Sequence, residues 1–492
     1  MSTAAAKTSL GGVPPGPRGV SFLGGLLGSP SGWLELLVRC ARDYGDLAFF
    51  RLITIPCCLI NSPDAIEYVL VGGSANFTKS EDYRALSYML GDGLLTSEGD
   101  FWKRQRRLIQ PAFHRERVLS YGRTMTAHTG RMLDGWQDGE VRDIHHDMMA
   151  LTLDIVAECL FSTNIRDSAG VIGEAIKAVM DRFVTMATLG FLLPAWMPFI
   201  GPLPLRRNLR ALDQIVYSII RGRRANPQPA NDLLGMLLEA KDENSEGMPD
   251  VQLRDEVMTL LLAGHETTAN TLTWTLYLLA QNPEIQTQLQ NELDAVLNGR
   301  TPEASDADQL RLTSMALKES MRLYPPAWGI GRKAIHSFDV GGYHLPAGTN
   351  VFIVQWIVHR DGRHYPQPER FDPSRWDDRV HPPPPKFTYF PFGGGPPRLR
   401  GSWLRHHGGG PYPRKPAAAV PLRTGDKRTC RNIAFTHFAA ATWVAPEDCQ
   451  AVGTVVAQVS ACGLSFRRRQ MRVRVLHVLI EPRDHLIQRV LD

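Results

Sequence analysis

The chain changes character at Pro396, and that break sets how much of it can belong to one fold. From Pro397 to Asp492 there are 16 Lys+Arg, 14 of them Arg, against 6 Asp+Glu. Residues 1–396 carry 39 basic and 44 acidic residues, so a net charge of −5 gives way to +10 within one polypeptide. The tail also loses periodicity. GSWLRHHGGGPYPRKPAAAVPLRTGDKRT is strewn with glycine and proline, and RRRQMRVRVLHVLI alternates basic and apolar residues. Such a stretch is expected to fold poorly. A fold is therefore expected over 1–396, with 397–492 a basic tail not native to it.

The chain as a whole is ordinary globular material. Its 492 residues are 43% hydrophobic and 21% charged, which excludes a disordered or collagenous protein. Seven cysteines, at 40, 57, 58, 159, 430, 449 and 462, make no CxxC pair and no zinc spacing, so a reducing compartment is expected. The N-terminal apolar stretch is broken by glycines and falls short of the roughly 20 residues that span a bilayer. It also lacks a signal-peptide pattern. The expected location is cytoplasmic, with peripheral membrane contact left open.

Periodicity predicts a mainly α body with a small β part. Helical spacing runs over 31–45, 100–136, 143–162, 170–190, 208–222, 231–241, 251–282, 284–298 and 310–324, with a capped helix in SPDAIEYVLV. The run 251–282 is the longest, and Asn282-Pro283 interrupts it. AFFRLITIPCCLI and GRKAIHSFDVGGYHLPAGTNVFIVQWIVH read as short strands and turns. Residues 184–205 are apolar and broken by prolines, which suits buried core or a lip over an apolar pocket.

Four signals carry chemistry. The longest helix contains Ala263-Gly264-His265-Glu266-Thr267-Thr268. A mid-helix glycine costs about 1 kcal/mol relative to alanine, and the threonine hydroxyls compete for backbone carbonyls. An acid beside an alcohol can relay protons to a bound oxygen species; taken alone, a tolerated glycine beside a solvated Glu266 is the better reading. Glu319 and Arg322 share a helical face at i, i+3, and Arg370 of Pro368-Glu369-Arg370-Phe371 is placed to complete a buried cluster with them. The plainer alternative is a surface pair and an exposed loop charge. Trp102 and Arg106, at i, i+4, put an indole N–H and a guanidinium on one face, a clamp for carboxylate or phosphate. The alternative there is a basic surface helix with Lys103, Arg104 and Arg107 solvated. Phe392-Gly393-Gly394-Gly395-Pro396 allows close backbone approach to something flat or bulky, and as a phosphate loop it lacks the lysine–serine that would follow.

The order of these motifs, WxxxR, AGHETT, ExxR, PERF and FGGGP, resembles the cytochrome P-450 family over residues 10–396. That resemblance implies a mainly helical triangular prism with a small β domain. It implies haem b held between the AGHETT helix and the loop after FGGGP, with Phe392 beside the cofactor. Glu266 and Thr267 would deliver protons to iron-bound dioxygen, and Ala263 and Gly264 would line the oxygen groove. Glu319, Arg322 and Arg370 would form the structural triad, and Trp102, Arg106, Arg332 and His359 would match the positions that hold the haem propionates. The implied activity is insertion of one atom of O2 into a small apolar organic substrate, with electrons from a separate ferredoxin- or reductase-type donor.

One element of the pattern is broken. Where the family reads F-G-G-G-P-R-x-C-x-G, this chain has Pro397 at the arginine position and Leu399 at the cysteine position. Leucine has no donor atom, and a thiolate ligand is what pushes electron density onto haem iron for O–O cleavage. Reading the last two bases of each codon with the first of the next, from Pro397 onward, permits R-V-C-V-G-A-G-F-A-T-M-E-A-V-L-I-L, with cysteine at the ligand position. A single-base frameshift near the Pro396 and Pro397 codons accounts for the lost cysteine and the Arg-rich tail together, and the chain as written is expected to be defective. Two other readings stand beside this one. The body would serve as a non-catalytic haem or apolar-ligand binder, or Arg467, Arg468, Arg469, Arg472 and Arg474 would bind an anionic surface. Absent aromatic interleaving and the hidden frame argue against the last, so no nucleic-acid partner is expected.

Overall fold

The computed structural model describes residues 11–17, 32–113, 115–137, 142–162, 172–173, 175–176, 178, 203–227 and 232–394. Most of the apolar 184–205 stretch, Pro396, Leu399, Cys430 and the arginines from 467 onward lie outside the described residues.

The β part forms first along the chain. Helix α1 (Gly32–Tyr44) leads into strands β1 (Leu47–Leu52) and β2 (Ile55–Ile60), which pair antiparallel. Ser62 then caps α2 (Pro63–Glu67), its hydroxyl accepting from the Ala65 amide, with Pro63 at the first helical position where no N–H is needed. After β3 (Phe77–Lys79) come α3 (Tyr83–Leu90) and α4 (Gly99–Ile109). The helical stretch expected over 100–136 is divided at Pro111, where a short 3-10 turn separates α4 from α5 (Arg115–Asp134).

The helical body follows with α6 (Ile144–Phe161), α7 (Leu203–Ala225), α8 (Leu233–Glu239), α9 (Asp250–Gln281), α10 (Pro283–Leu297) and α11 (Arg311–Leu323). The chain then returns to the sheet through β4 (Ile330–Ala334), β5 (Phe338–Val340), β6 (Tyr343–Leu345) and β7 (Asn350–Ile353). The main sheet has the order β1-β2-β7-β4-β3, and only β2 and β7 are parallel. The β5–β6 hairpin turns through Gly341 and Gly342, both at positive φ, as a two-residue hairpin loop requires. The fold is thus mainly α with a small sheet, as the periodicity predicts.

Helix α9 is the axis of the body. Twenty of its 32 residues are buried, including polar ones such as Asp255, Glu256, His265 and Glu266. It packs along α6, α7 and α11, within a core that runs from Tyr83 and Leu86 through Leu153 and Leu212 to Ala263. Among the described residues no helix is long and apolar enough to cross a membrane.

Candidate active site

The middle of α9 is locally rewired. The Thr267 hydroxyl donates to the Ala263 carbonyl at 2.7 Å, Thr271 donates to the Thr267 carbonyl at 2.9 Å, and Thr275 to the Thr271 carbonyl at 2.7 Å. Such back-bonding loosens a helix and tends to bend it. With its hydrogen engaged, the Thr267 oxygen is left as an acceptor, and the side chain is only half-buried. Glu266 is buried beside it, and Ala263 is 3% exposed one turn earlier. The structure gives Gly264 a different neighbour from the one its motif implies. A side chain there would project to within 3.1 Å of Val156 Cγ2 on α6, so its smallness serves helix packing. His265, which the sequence left without a role, anchors the same turn. Its Nε2 lies 2.9 Å from the Met149 carbonyl of α6, and burial pushes its pKa down to about 4, so the ring is neutral and donates that hydrogen.

On α4, Trp102 and Arg106 share a face as their spacing predicts, with the Arg106 guanidinium 5.2 Å from the Trp102 ring centroid. The Trp102 indole Nε1 is buried and has no acceptor among the described residues, an arrangement that a native protein normally avoids unless something else completes it. Lys103 and Arg107 are exposed and pair with Asp100 and Glu243. Arg104 is not simply solvated: it holds Asp242 at 2.7 Å and reaches Gln252 of α9 at 3.4 Å.

Arg332 lies on β4, 9% exposed, with Nη1 donating to the Gly331 carbonyl at 2.9 Å. Its register partner on β3 is Lys79, a residue that sequence reasoning missed. Burial, with Arg332 adding to it, pushes the Lys79 ammonium down to about 7, while Glu98 and Glu256 pull the other way. Nothing in the sequence marks this lysine, because its burial comes from segments far along the chain.

His359, implied to stand at the propionates, packs against the structural cluster, and its buried Nδ1 has no partner among the described residues. Its ring is fully buried, with Nε2 accepting from the Phe390 amide at 3.0 Å. Burial and the neighbouring Arg322 and Arg360 push its pKa down to about 3, so it offers no positive charge to a propionate. Instead its carbonyl accepts from Arg322 Nη1 at 2.8 Å. His359 belongs to the structural cluster.

That cluster forms with one substitution of partners. Glu319 and Arg322 are fully buried and bonded through two contacts of 2.9 Å. Glu319 also accepts from the Asp372 amide, Arg375 Nε and Trp376 Nε1, at 3.0, 3.2 and 3.0 Å. The third guanidinium is therefore that of Arg375. The Arg370 side chain is exposed and reaches Gln367, and only its carbonyl joins the cluster, accepting from Arg322 Nη2 at 3.2 Å. The loop turns Phe371 inward, 5% exposed, which leaves Arg370 outward.

Phe392 is half-buried near the end of the described chain. Gly393 adopts φ +83°, and a Cβ on Gly394 would meet Phe387 Cε1 at 2.4 Å, so both glycines are required where they stand.

A long helix rewired by threonine back-bonds, a buried Glu/Arg cluster and a Trp102–Arg106 pair occur together in this chain, and comparison with known proteins gives the family. Residues 14–398 match the family model for cytochrome P450. The chain is 35% identical over 355 residues to cyclooctatin synthase of Streptomyces melanosporofaciens, covering 72% of this chain and 77% of that one. It is 35% identical over 339 residues to cyclooctat-9-en-7-ol 5-monooxygenase of the same organism, covering 68% and 73%. With pentalenene oxygenase of Streptomyces avermitilis it shares 33% identity over 338 residues, covering 68% and 74%. The chain belongs to the cytochrome P450 family, and by that kinship it is a monooxygenase.

The family implies a haem, and the residues fit it unevenly. The orphaned Trp102 indole N–H beside the Arg106 cation suits a propionate. The axial side has no counterpart among the described residues. Burial pushes the thiols of Cys40, Cys57 and Cys159 up to about 11, 12 and 12, and that of Cys58 higher still, so none is a thiolate near neutrality.

Proposed function

We propose that residues 1–396 are the body of a haem b-dependent monooxygenase that inserts one atom of O2 into an apolar organic substrate, and that its axial cysteine lies in the shifted reading frame after Pro396. The observation that carries the haem site is the buried Trp102 Nε1, without an acceptor, beside the Arg106 guanidinium. The frame assignment is supported by the family match, which ends at residue 398, one position before Leu399. The tail from 397 is then an unintended translation product.

The bound haem supplies reductive activation of dioxygen, with electrons from a separate ferredoxin- or reductase-type protein. The chain's own residues do the rest. Trp102 and Arg106 bind the propionate edge, with Arg332 adding positive charge. Thr267, its hydrogen held by the Ala263 carbonyl, would accept a hydrogen bond from a water molecule and hold that proton donor in place. Glu266 is the adjacent acid that replenishes the proton. The relatives act on pentalenene and cyclooctat-9-en-7-ol by name, and we assign this body an apolar cyclic alkene or alcohol as its substrate class.

Two optical spectra test the reading. The chain as written is expected to lack the thiolate-type spectrum of the reduced carbon monoxide complex, and a chain read in the shifted frame from codon 397 is expected to display it. A frame-corrected chain that takes up no haem overturns the proposal. Re-reading the DNA across the Pro396 and Pro397 codons tests the frame directly, and an unshifted frame there removes that part. Trp102→Phe and Arg106→Ala are each expected to weaken haemin binding about tenfold, the usual scale for removing a supporting hydrogen bond at a metal-centre site, read by Soret titration.

A further inference from the structure

We propose that Asp255 and Glu256 are positioning residues for this site: together they clamp the Gly91–Thr96 segment onto α9, and through it fix Trp102 and Arg106 relative to the Ala263–Thr267 turn. The inference rests on the haem-site reading above. The clamp consists of two hydrogen bonds between parts of the chain more than 160 residues apart. The Asp92 amide donates to Asp255 Oδ2 at 2.8 Å, and the Leu94 amide donates to Glu256 Oε2 at 2.9 Å.

The approach depends on two glycines. A Cβ at Gly91, which has φ +73°, would stand 2.1 Å from Asp255 Oδ1. One at Gly93 would stand 2.3 Å from Thr259 Oγ1 and 2.7 Å from the Asp255 carbonyl. No other residue type lets the backbone lie this close to α9. Asp255 is aimed from behind: Arg254 Nη1 donates to it at 2.9 Å, while Arg254 Nε holds Asp213 at 2.7 Å and Nη2 reaches the Met89 carbonyl at 3.2 Å.

The clamped segment then runs straight into α4. Leu94 and Leu95 are 4% and 2% exposed, so the segment is embedded in the core. The Ser97 carbonyl accepts from Lys79 Nζ at 2.5 Å, the Glu98 carboxylate accepts from the Lys79 amide, and the Glu98 carbonyl accepts from the Trp102 amide at 3.2 Å. A continuous set of hydrogen bonds thus runs from α9 through 91–98 to the first turn of α4. Glu256 is 0% exposed and uses only one carboxylate oxygen on the segment, and Oε1 has no partner. A full carboxylic side chain in such a place is costly unless the contact it makes is needed.

The test compares Asp255→Ala/Glu256→Ala with Asp255→Asn/Glu256→Gln, whose amide oxygens still accept both N–H groups. Two readouts are taken, amide hydrogen exchange over 91–98 and haemin affinity by Soret titration. The alanine pair is expected to speed exchange locally, with α6 unchanged, and to weaken haemin binding about tenfold, the scale seen when supporting groups behind a site are removed. The amide pair is expected to restore both. Should the alanine pair fail to fold, Gly93→Ala pries the segment away by pressing on Thr259 Oγ1 and the Asp255 carbonyl while leaving both carboxylates in the sequence, and the same two changes are expected. Unchanged haemin affinity in the alanine pair, or exchange that rises equally in α6, overturns the proposal. If the frame-corrected parent chain takes up no haemin, the haem-site reading fails instead, and the exchange arm alone then decides whether the acids clamp the segment.

Discussion

Two polar regions of this molecule are built in opposite ways. Around Glu319 every charge is answered: the carboxylate accepts from Arg322, Arg375, Trp376 and the Asp372 amide, and Arg322 satisfies the carbonyls of His359 and Arg370. Around α4 and the first half of α9, among the described residues, Trp102 Nε1, Glu256 Oε1, Thr259 Oγ1 and Ser97 Oγ are left without a partner, a carboxyl oxygen among them, whereas beside Glu319 it is the uncharged Ser320 Oγ and His359 Nδ1 that lack one. A closed network rigidifies what it joins, whereas an open one is costly unless a further component completes it. The difference separates a part that holds the fold from a part shaped to meet something else.

The largest effect expected from breaking the contrast is at Arg322. Arg322→Ala strands a fully buried carboxylate, and a loss of about 3–5 kcal/mol is expected in urea unfolding. Next, the network places Arg375 rather than Arg370 at Glu319. Arg375→Ala is expected to cost about 1.5–3 kcal/mol, the usual worth of a hydrogen bond to a charged group. Arg370→Ala is expected to stay within about 0.5 kcal/mol, as for an exposed side chain. Equal effects in the two variants would erase the correction.

A further effect, smaller than those at Arg322 and Arg375, concerns pH on the open side. Burial raises the Glu256 pKa from 4.5 to about 8, opposed by the Leu94 amide and Lys79. The folded chain therefore prefers the protonated acid. Stability associated with this group is complete below its unfolded pKa and is lost as pH climbs through about 8. Lys79 is itself pushed down to about 7, so it offers little compensating charge at higher pH. Glu256→Gln is expected to match the unaltered chain in thermal unfolding at pH 5 and to exceed it at pH 9, by on the order of 1 kcal/mol. A difference of the opposite sign would show that Glu256 is ionised in the fold.

Sequence reading succeeded wherever a relation stays inside one element. The i, i+3 spacing of Glu319 and Arg322 and the i, i+4 spacing of Trp102 and Arg106 became real neighbours, because a helix fixes those separations by its pitch. It failed at residues set by encounters between elements. Arg370 carries the family pattern, but the direction of a loop side chain has no period to read, and Phe371 took the buried position. The neutrality of the His359 ring is likewise set by burial and by the Arg322 and Arg360 packed near it, which its place in the sequence does not reveal.

The sequence by itself determined a mainly helical body with a small sheet, the weakened turn at Ala263–Thr267 and the change of texture after Pro396, because periodicity, helix propensity and composition are local quantities. Only the tertiary structure decided that Arg375 answers Glu319, that His359 is neutral, that Lys79 is half-buried beside Arg332, and that Asp255 and Glu256 reach the amides of Asp92 and Leu94. Those facts depend on which distant segments are brought within 3 Å or so of one another, and that is fixed by packing and desolvation across the whole core.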